Sequence, residues 1–426
     1  MFKVLIIAYY FPPKGLSGVQ RTLKFVKYLH KYNWLPTVVT SGTGAYYAHD
    51  NTLMEDLVPD SYKVHRIEGK DVNSLTKQMG TVRMPNEKIR RVLSFFSSLF
   101  FIPDNKKFWS AKVLKFCRTL LKEEKFDAIF ISGPPFSTFE VGRKLKKEFD
   151  LPLFYDYRDL WYGYHFAIYP TPLHKLVIKR MEYRCLKSAD RVIVTNRKIK
   201  EKLVKFFPFI ALNNISIIPH GYDQEDIERA GRDSKDRDKM ILTYSGIFYE
   251  FITPKYLLLA FKKLTQEHPH IASQIELHFC GLLRKENEKF IEALKLQSFV
   301  KNFGYLNHLD SIRKLNSSDI LWLTVGEGRN SDTISSGKLF EYIGAGKPIM
   351  GLLQEGALKS SLEEYGAGFI CDPYNIDSIK DTIVQIFTLY KEKKLPVPKQ
   401  EIIQKYNREA LTESLTKEFQ FLIKVR

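Results

Sequence analysis

Several features are missing or rare in this sequence of 426 residues, and each absence argues against a class of protein. No run of about 20 apolar residues is present, so no segment is predicted to cross a membrane as a helix. The four cysteines, Cys117, Cys185, Cys280 and Cys371, are widely spaced and form no CxxC pair. Their spacing disfavours a zinc site and a disulfide framework, and it favours buried free thiols. The absence of a GxGxxG motif disfavours a nicotinamide dinucleotide site.

Acidic residues are scarce relative to basic ones: 48 Asp and Glu against 66 Lys and Arg give a formal net charge of +18. An excess of positive charge suits three kinds of partner: nucleic acid, an anionic membrane surface and a phosphorylated substrate. No recognised nucleic-acid motif accompanies the charge, so we expect no nucleic-acid partner.

The positive charge is concentrated in one stretch, 88–125, which holds ten Lys and Arg but only three Asp and Glu. Large apolar side chains lie among the basic ones, at Leu93, Phe95, Phe96, Leu99, Phe100, Phe101 and Ile102. Apolar groups flanked by Lys and Arg are typical of a helix that lies in a membrane interface. An ordinary surface helix with solvated lysines over a buried aromatic face would give the same pattern, and both interpretations stay open.

The first apolar run, VLIIAYY (4–10), is too short for the core and cleavage site of a signal peptide. It predicts a buried strand instead. We therefore expect a cytoplasmic protein, and the 88–125 stretch leaves open a peripheral position at the inner face of the cell membrane.

Short β-branched runs alternate with amphipathic helical stretches along the chain, which predicts α/β architecture with parallel sheets covered on both faces. The predicted strands are 4–10, 37–40, 64–67, 128–132, 153–157, 192–195, 215–218, 241–244, 275–280, 300–303, 320–324, 349–352 and 369–371. A polar, charged segment divides them into two series. We predict a first doubly wound domain at 1–222, a linker at 223–240, a second such domain at 241–405, and a C-terminal helix at 406–426 that packs back toward the first domain.

The first strand leads into a glycine-containing loop, PPKGLSGVQR (12–21), which enters a helix. Glycine lets the backbone approach a ligand closely, and open N–H groups at a helix start attract anions or sugar hydroxyls. Tyr10 and Gly15 are therefore candidates on the acceptor side and Gly18 on the donor side, although a plain turn would also use these glycines. Gly133 follows another predicted strand and should reach the same edge of the sheet.

A second motif, Ser335-Ser336-Gly337, precedes an apolar-periodic helix predicted at 338–345. Serine and glycine at a helix start leave N–H donors open, so Ser336 and Gly337 fit a diphosphate. Lys338 lies in the first turn, where a cation is unfavourable unless an anion is near. Glu341 lies one turn on and could accept hydrogen bonds from a ribose diol. An i,i+3 surface ion pair of Lys338 with Glu341 is the alternative.

Three further candidates come from loops. Arg329 could add positive charge at a pyrophosphate, or be an ordinary loop arginine. In DYRDLW (156–161), Asp159 is the candidate base or orienting group and Arg158 the candidate anion contact, while a structural ion pair between them is equally compatible. His165 is a secondary catalytic candidate, as is His220. A DxD triplet at 236–238 lies in the predicted linker and is interpreted as solvated surface rather than a metal site.

Four segments in order resemble the family 4 glycosyltransferases, which have the GT-B fold. They are VLIIAYYFPPKGLSGVQRTLKFVKYL, PLFYDYRDLW, ISIIPHGYD and SSGKLFEYIGAGKPI. The resemblance spans most of the chain and implies two Rossmann-like domains that face each other across a cleft. It implies transfer of a sugar from a nucleoside diphosphate sugar, with retention of configuration, to a saccharide or lipid-linked saccharide in polysaccharide biosynthesis. It implies no cofactor and no metal.

The resemblance also assigns individual residues. The glutamate that matches Glu341 is the family's ribose ligand. A second family glutamate, near the donor sugar, corresponds to Thr333 here, and the family's Gly-Arg phosphate clamp is replaced by Ser245-Gly246-Ile247. Two alternatives remain open: a GT-B sugar-nucleotide epimerase, and a non-catalytic basic protein that binds membrane or nucleic acid.

Overall fold

The computed structural model describes residues 1–44, 46, 48–69, 87–234 and 239–424. The chain divides into two compact units: unit 1 comprises Met1–His220 with Arg408–Arg426, and unit 2 comprises Gly221–Asn407. The DxD triplet at 236–238 lies outside the described residues. None of the helices in the described ranges is long and apolar enough to span a bilayer.

Unit 1 is built on a parallel sheet. Its strands, within the described residues, are β1 (Phe2–Ala8), β2 (Trp34–Ser41), β3 (Lys63–Ile67), β4 (Ala128–Gly133), β5 (Leu153–Tyr157), β6 (Arg191–Val194) and β7 (Ile215–Ile217). The helices between them are α1 (Ser17–Leu29), α2 (Glu87–Phe100), α3 (Lys107–Glu123), α4 (Ser137–Phe149), α5 (Pro172–Ser188) and α6 (Arg197–Phe206). The strand order is β3-β2-β1-β4-β5-β6-β7, so the direction of winding reverses beside β1.

Unit 2 repeats this plan. Its helices in the described ranges are α7 (Gln224–Ala230), α8 (Lys255–Glu267), α9 (Pro269–Ala272), α10 (Lys285–Ala293), α11 (His308–Asn316), α12 (Gly337–Gly344), α13 (Ala357–Tyr365), α14 (Ile376–Lys391) and α15 (Gln400–Lys405). Its strands are β8 (Met240–Ser245), β9 (Ile275–Cys280), β10 (Val300–Asn302), β11 (Ile320–Val325), β12 (Ile349–Leu353) and β13 (Gly368–Cys371). The order β10-β9-β8-β11-β12-β13 again reverses beside the first strand. All thirteen strands coincide with predicted ones, with ends shifted by up to a few residues, and the doubly wound α/β prediction is confirmed.

The core of unit 1 lies on both faces of its sheet. Alternate residues of β1 enter different clusters, with Val4 and Ile6 on one face and Leu5 and Ile7 on the other. The last helix, α16 (Arg408–Lys424), covers the first of these faces. Its Phe419 is fully buried, with ring centroids 4.7 to 5.8 Å from those of three aromatic side chains: Trp34, Phe130 and Phe154.

The segment predicted as a linker, 223–240, is structured where it is described. Asp223 caps the N-terminus of α7, and α7 packs against α11. The polar side chains of the segment are paired rather than solvated: Asp226 lies 2.8 Å from His308 Nε2, and Asp233 lies 2.6 Å from Lys314 Nζ. The linker prediction was wrong for these residues, because a charged composition is the same whether the charges face water or a neighbouring helix.

Unit 1 contains a buried carboxyl group, Glu182 of α5, which is 0% exposed and accepts a hydrogen bond from the Tyr162 N–H at 2.6 Å. Burial raises the pKa of Glu182 to about 8, and the hydrogen bond from Tyr162 opposes the rise. An unfolded glutamic acid has a pKa of about 4.3. Between these two values folding takes up a proton, so the free energy of unfolding should fall as pH rises, by up to about 1.4 kcal/mol per pH unit.

We expect Glu182→Gln to remove this dependence, since the amide keeps an acceptor for the Tyr162 N–H and never ionises. Urea unfolding should show a higher midpoint than wild type at pH 8.5 and a smaller difference at pH 5.5. Glu123→Gln, at an exposed position of α3, is the control and should follow the wild-type profile. Parallel profiles for Glu182→Gln and wild type would contradict the assignment of this group.

Candidate functional site

The topology selects one edge of each sheet for ligand binding. In a doubly wound sheet, ligands bind at the carboxyl ends of the strands, where the winding reverses. In unit 1 this point lies after β1 and β4, and in unit 2 after β8 and β11. Most of the predicted site residues fall in the loops and helix starts at these two positions.

In unit 2 the start of α12 leaves backbone donors available. Ser336 is the N-cap residue, in an extended conformation, and its side chain makes no hydrogen bond to the helix. The first turn contains no acidic residue. Because the first N–H groups of any helix lack intrahelical partners, Ser336 and Gly337 present a partial positive charge at this edge.

Lys338 extends from this helix start toward the end of β8. Its Nζ donates to the Tyr244 hydroxyl at 2.8 Å and lies 4.6 Å from the centre of that ring. Gly246 has a φ of +131°, which residues with a side chain rarely adopt, and the far end of the Lys338 side chain lies against it. Burial lowers the pKa of Lys338 to about 8, and the Glu341 carboxylate opposes that shift. The structure therefore brings Lys338, Glu341 and Gly246 together.

The other donor-side candidates are placed differently. Thr333 is buried, and its hydroxyl donates to the Asn330 carbonyl at 2.7 Å within its own loop. Thr333 thus stabilises the conformation of its own loop, and its contact with the donor stays a prediction. Arg329 is exposed in the loop that follows β11.

In unit 1, Arg158 follows β5 and connects two loops. Its side chain is buried, and its guanidinium donates to the carbonyls of Gly18 and Pro134 and, at 3.4 Å, of Gly133. Three of the five guanidinium N–H groups are engaged in this way, which leaves two that could donate to an anion. The structure shows Arg158 as a residue that positions loops, and its role as an anion contact stays a prediction.

The structural ion pair at this edge is formed by other residues. Arg21 and Asp156 have fully buried side chains joined at 2.7 Å, and Ser132 donates to the same carboxylate at 2.8 Å. Arg21 also donates to the Pro219 carbonyl at 2.8 Å. Next to it, burial lowers the pKa of His220 well below its ordinary value, and the nearby arginine charges add to the effect. His220 is therefore neutral at pH 7.

Asp159 and His165 differ in their acid–base character. Burial raises the pKa of Asp159 to about 6, and the Arg158 charge opposes the rise. A carboxyl group with this pKa can exchange a proton near neutral pH, as a general acid or base must. Burial lowers the pKa of His165 to about 3, so that imidazole stays neutral in the same range.

The loop glycines on the acceptor side are used within the protein. The Gly15 N–H donates to the Ala48 carbonyl at 2.9 Å. A side chain on Gly133 would meet the Phe139 ring at 2.8 Å, and its carbonyl accepts the Arg158 N–H at 3.1 Å. Tyr10 is half-buried, with the Arg158 guanidinium 5.6 Å from its ring centre.

Sequence reasoning missed two cations near these loops. The ammonium groups of Lys14 and Lys106 lie 4.5 and 4.8 Å from the centre of the Tyr9 ring. It also missed Asp104, whose carboxylate accepts from the N–H and the hydroxyl of Ser137, each at 2.8 Å, and so caps the start of α4. Lys106 and Asp104 are far in the chain from Tyr9 and Ser137, so only the folded structure reveals these two contacts.

Two family profiles match the sequence. "Glycosyltransferase Family 4" matches residues 22–226, and "Glycosyl transferases group 1" matches residues 224–409. The chain belongs to the family 4 type of glycosyltransferase. This family 4 enzyme transfers a glycosyl group from a nucleotide sugar, and the prediction made from its motifs is confirmed.

Solved structures share the fold of this family 4 enzyme. Sucrose-phosphate synthase from Thermosynechococcus elongatus is 14% identical, with 100% of each chain covered and a TM-score of 0.69. WaaG, a glycosyltransferase involved in lipopolysaccharide biosynthesis, is 14% identical over 96% of this chain and 95% of its own, with a TM-score of 0.57. A protein described as a UDP-N-acetylglucosamine 2-epimerase from Listeria monocytogenes is 13% identical over 100% and 97%, with a TM-score of 0.60. No curated protein matches the sequence.

The role of Arg158 in the family 4 enzyme can be tested by Arg158→Lys. Lysine keeps the charge but cannot reach three carbonyls in a planar arrangement, so at least one buried acceptor should lose its donor. We expect the free energy of unfolding to fall by about 1–3 kcal/mol, measured by urea denaturation. Arg180→Lys, at an exposed position of α5, is the matched control and should leave the midpoint unchanged. Equal midpoints for both variants would refute the positioning role.

Proposed function

We propose that unit 2 binds the nucleoside diphosphate sugar through the start of α12. The backbone amides at Ser336 and Gly337 and the ammonium of Lys338 would hold the diphosphate, and Glu341 would accept hydrogen bonds from the ribose hydroxyls. The observation that carries this proposal is a partly buried lysine at the positive end of an uncapped helix, an arrangement that an anion stabilises.

The start of α4, compared with the start of α12, supports the same proposal. In unit 1 the first N–H of α4, that of Ser137, donates to the carboxylate of Asp104, and so does the Ser137 hydroxyl. In α12 the N-cap side chain makes no such bond. A helix start that the protein does not fill with its own anion is suited to an anionic substrate group.

We propose that the reaction proceeds without a divalent metal and with retention of configuration. As the glycosidic bond breaks, negative charge grows on the leaving diphosphate. The helix amides and Lys338 would stabilise that charge in the transition state, which is the task a metal performs in other transferases. Retention rests on the family resemblance. Asp159, with a pKa of about 6, is our candidate for the group that orients or deprotonates the acceptor.

Donor binding gives a direct test. A panel of nucleoside diphosphates and nucleotide sugars should be screened by thermal shift, because a ligand that binds the folded state raises the melting temperature. For the best ligand we expect Glu341→Ala and Lys338→Met each to weaken binding about 10- to 100-fold, the loss of one charge-assisted contact. Wild-type affinity should also decline as pH rises through about 8, where Lys338 loses its proton, and Lys338→Met should abolish this decline.

The matched control is Glu363→Ala, an exposed glutamate of α13. It should bind the ligand like wild type, with the same melting temperature in the absence of ligand. Unchanged ligand affinity in the Glu341 and Lys338 variants would remove the proposed donor site.

The product distinguishes transfer from epimerisation, the alternative with the same nucleotide chemistry. A transferase releases the nucleoside diphosphate and forms a glycoside with a hydroxyl acceptor. An epimerase returns an isomer of the sugar nucleotide and leaves the diphosphate linkage intact. The two family matches favour transfer.

We further propose that the acceptor is a saccharide or lipid-linked saccharide of a surface polysaccharide, and that the enzyme works at the inner face of the cell membrane. The support lies in α2, where Ile89, Leu93, Phe96 and Phe100 are each at least 53% exposed. Large apolar side chains exposed together mark an interaction surface. A helix with its aromatic face buried would not expose them.

We expect the triple variant Phe95→Ser, Phe96→Ser and Phe100→Ser to weaken sedimentation with liposomes. Each buried aromatic side chain contributes about 1.5–3 kcal/mol when it leaves water, so the loss should be on the order of 100-fold or more. The control replaces Phe421, an exposed aromatic residue of α16, by Ser. Unchanged partitioning of a folded triple variant would refute the membrane role of α2.

A further inference from the structure

A shallow groove runs between α4 and α5 on the surface of unit 1. Five basic side chains line it, Arg143, Lys146, Lys147, Arg184 and Lys187, and no carboxylate is among its lining residues in the described part of the chain. This groove lies outside the 88–125 stretch that the sequence identified as basic.

Part of this charge is neutralised within the protein. Arg143 pairs with Glu140 at 2.8 Å, and Lys146 lies 2.8 Å from Asp190 and 3.1 Å from Asp150. These contacts fix two of the cations in the groove walls.

The remaining cations are not compensated. Lys147 and Arg184 are exposed, and neither forms an ion pair within the described residues. The Lys187 ammonium lies 5.1 and 5.9 Å from the ring centres of Tyr183 and Phe209, which are themselves exposed. The groove therefore presents three positive charges and two aromatic side chains to the solvent.

The groove is one end of a continuous stripe along α5. At 3.6 residues per turn, six of the eight exposed residues of this helix fall within an arc of about 100°, and these six define the stripe. From N- to C-terminus they are Leu173, Leu176, Arg180, Tyr183, Arg184 and Lys187, while the exposed Pro172 and Lys175 lie outside the arc. The first half of the stripe is apolar, with Leu173 and Leu176 65% and 63% exposed, and the second half is basic.

The apolar half of the stripe is joined to α2. The ring Nε2 of His174 lies 3.2 Å from the carbonyl oxygen of Leu99, near the C-terminus of α2. The N-terminal end of α5 and the C-terminal end of α2 are therefore neighbours in unit 1.

We infer that the α4–α5 groove binds the headgroups of anionic lipids while Leu173 and Leu176 enter the bilayer boundary. This inference rests on the membrane part of the proposed function and adds lipid selectivity to it. Leu176 and Arg184 are separated by about 12 Å along the helix axis. For both halves of the stripe to contact the membrane, α5 must therefore lie along the membrane surface. Apolar insertion binds any bilayer, whereas the groove distinguishes anionic from neutral lipid.

Charge and exposed apolar area together favour a bilayer over nucleic acid. A phosphate backbone would engage the three cations but would leave Leu173 and Leu176 in water. An anionic bilayer satisfies both halves of the stripe at once.

The test measures sedimentation of the full chain with phosphatidylcholine vesicles and with vesicles containing one quarter phosphatidylglycerol, at low and high salt. The groove variant carries Lys147→Gln, Arg184→Gln and Lys187→Gln. A basic residue near an anionic surface contributes about fivefold in affinity, so this variant should bind anionic vesicles on the order of 100-fold more weakly at low salt. Its binding to neutral vesicles should not change.

The matched control removes the same charge from unit 2, as Lys285→Gln, Lys289→Gln and Lys295→Gln at exposed positions. It should retain the preference for anionic vesicles. If the groove variant loses its fold by circular dichroism, Arg184→Gln alone should show the fivefold loss.

Three results would overturn the inference. Equal losses in the groove and control variants would show that net charge acts without a site, while the membrane role of α2 would stand. No binding of wild type to any vesicle would remove that role as well, while donor binding would remain a separate result. Tighter binding of a DNA duplex than of anionic vesicles at the same salt, lost in the groove variant, would assign the groove to nucleic acid.

Discussion

The parallel strands impose one constraint on each unit: within a sheet, every helix that follows a strand begins at the same edge. Each such helix brings backbone N–H groups without internal partners, so positive potential collects there. The chain resolves this in two ways. At α4 the carboxylate of Asp104 accepts the first N–H, that of Ser137, whereas α12 has no side-chain cap and carries Lys338 in its first turn. The helix starts, where the structure needs negative charge, are thus also the places where an anionic group of a substrate can bind.

The two kinds of buried cation at these edges suit different tasks. Arginine stays charged when it leaves water, and its planar donors hold several carbonyl oxygens in fixed positions. Arg158 and Arg21 use this property to connect loops around β4 and β5. A lysine loses its proton more readily on burial, and the pKa of Lys338 falls to about 8. Its proton is therefore held less tightly than that of an exposed lysine, and a bound anion would favour the charged form, which suits a substrate contact.

The features that were predictable from sequence are those with a local signal. Apolar runs of β-branched residues located the thirteen strands, and Ser336 with Gly337 located the start of α12 to within one residue. The contacts of Arg158 could not be found in this way, because Gly18 and Pro134 are far from it in the chain. The segment after Asp223 misled for a related reason: charged residues that pair with α11 look like charged residues in water.

The position of α16 has a consequence for how the protein is made. Synthesis completes unit 2 before the chain reaches Arg408, yet the hydrophobic cluster around Trp34 and Phe130 stays open until Phe419 leaves the ribosome. The N-terminal part of the polypeptide therefore has an apolar face uncovered until α16 has been made. A nascent chain arrested before Arg408 would contain the whole sequence of unit 2 but would lack the helix that covers this face of unit 1.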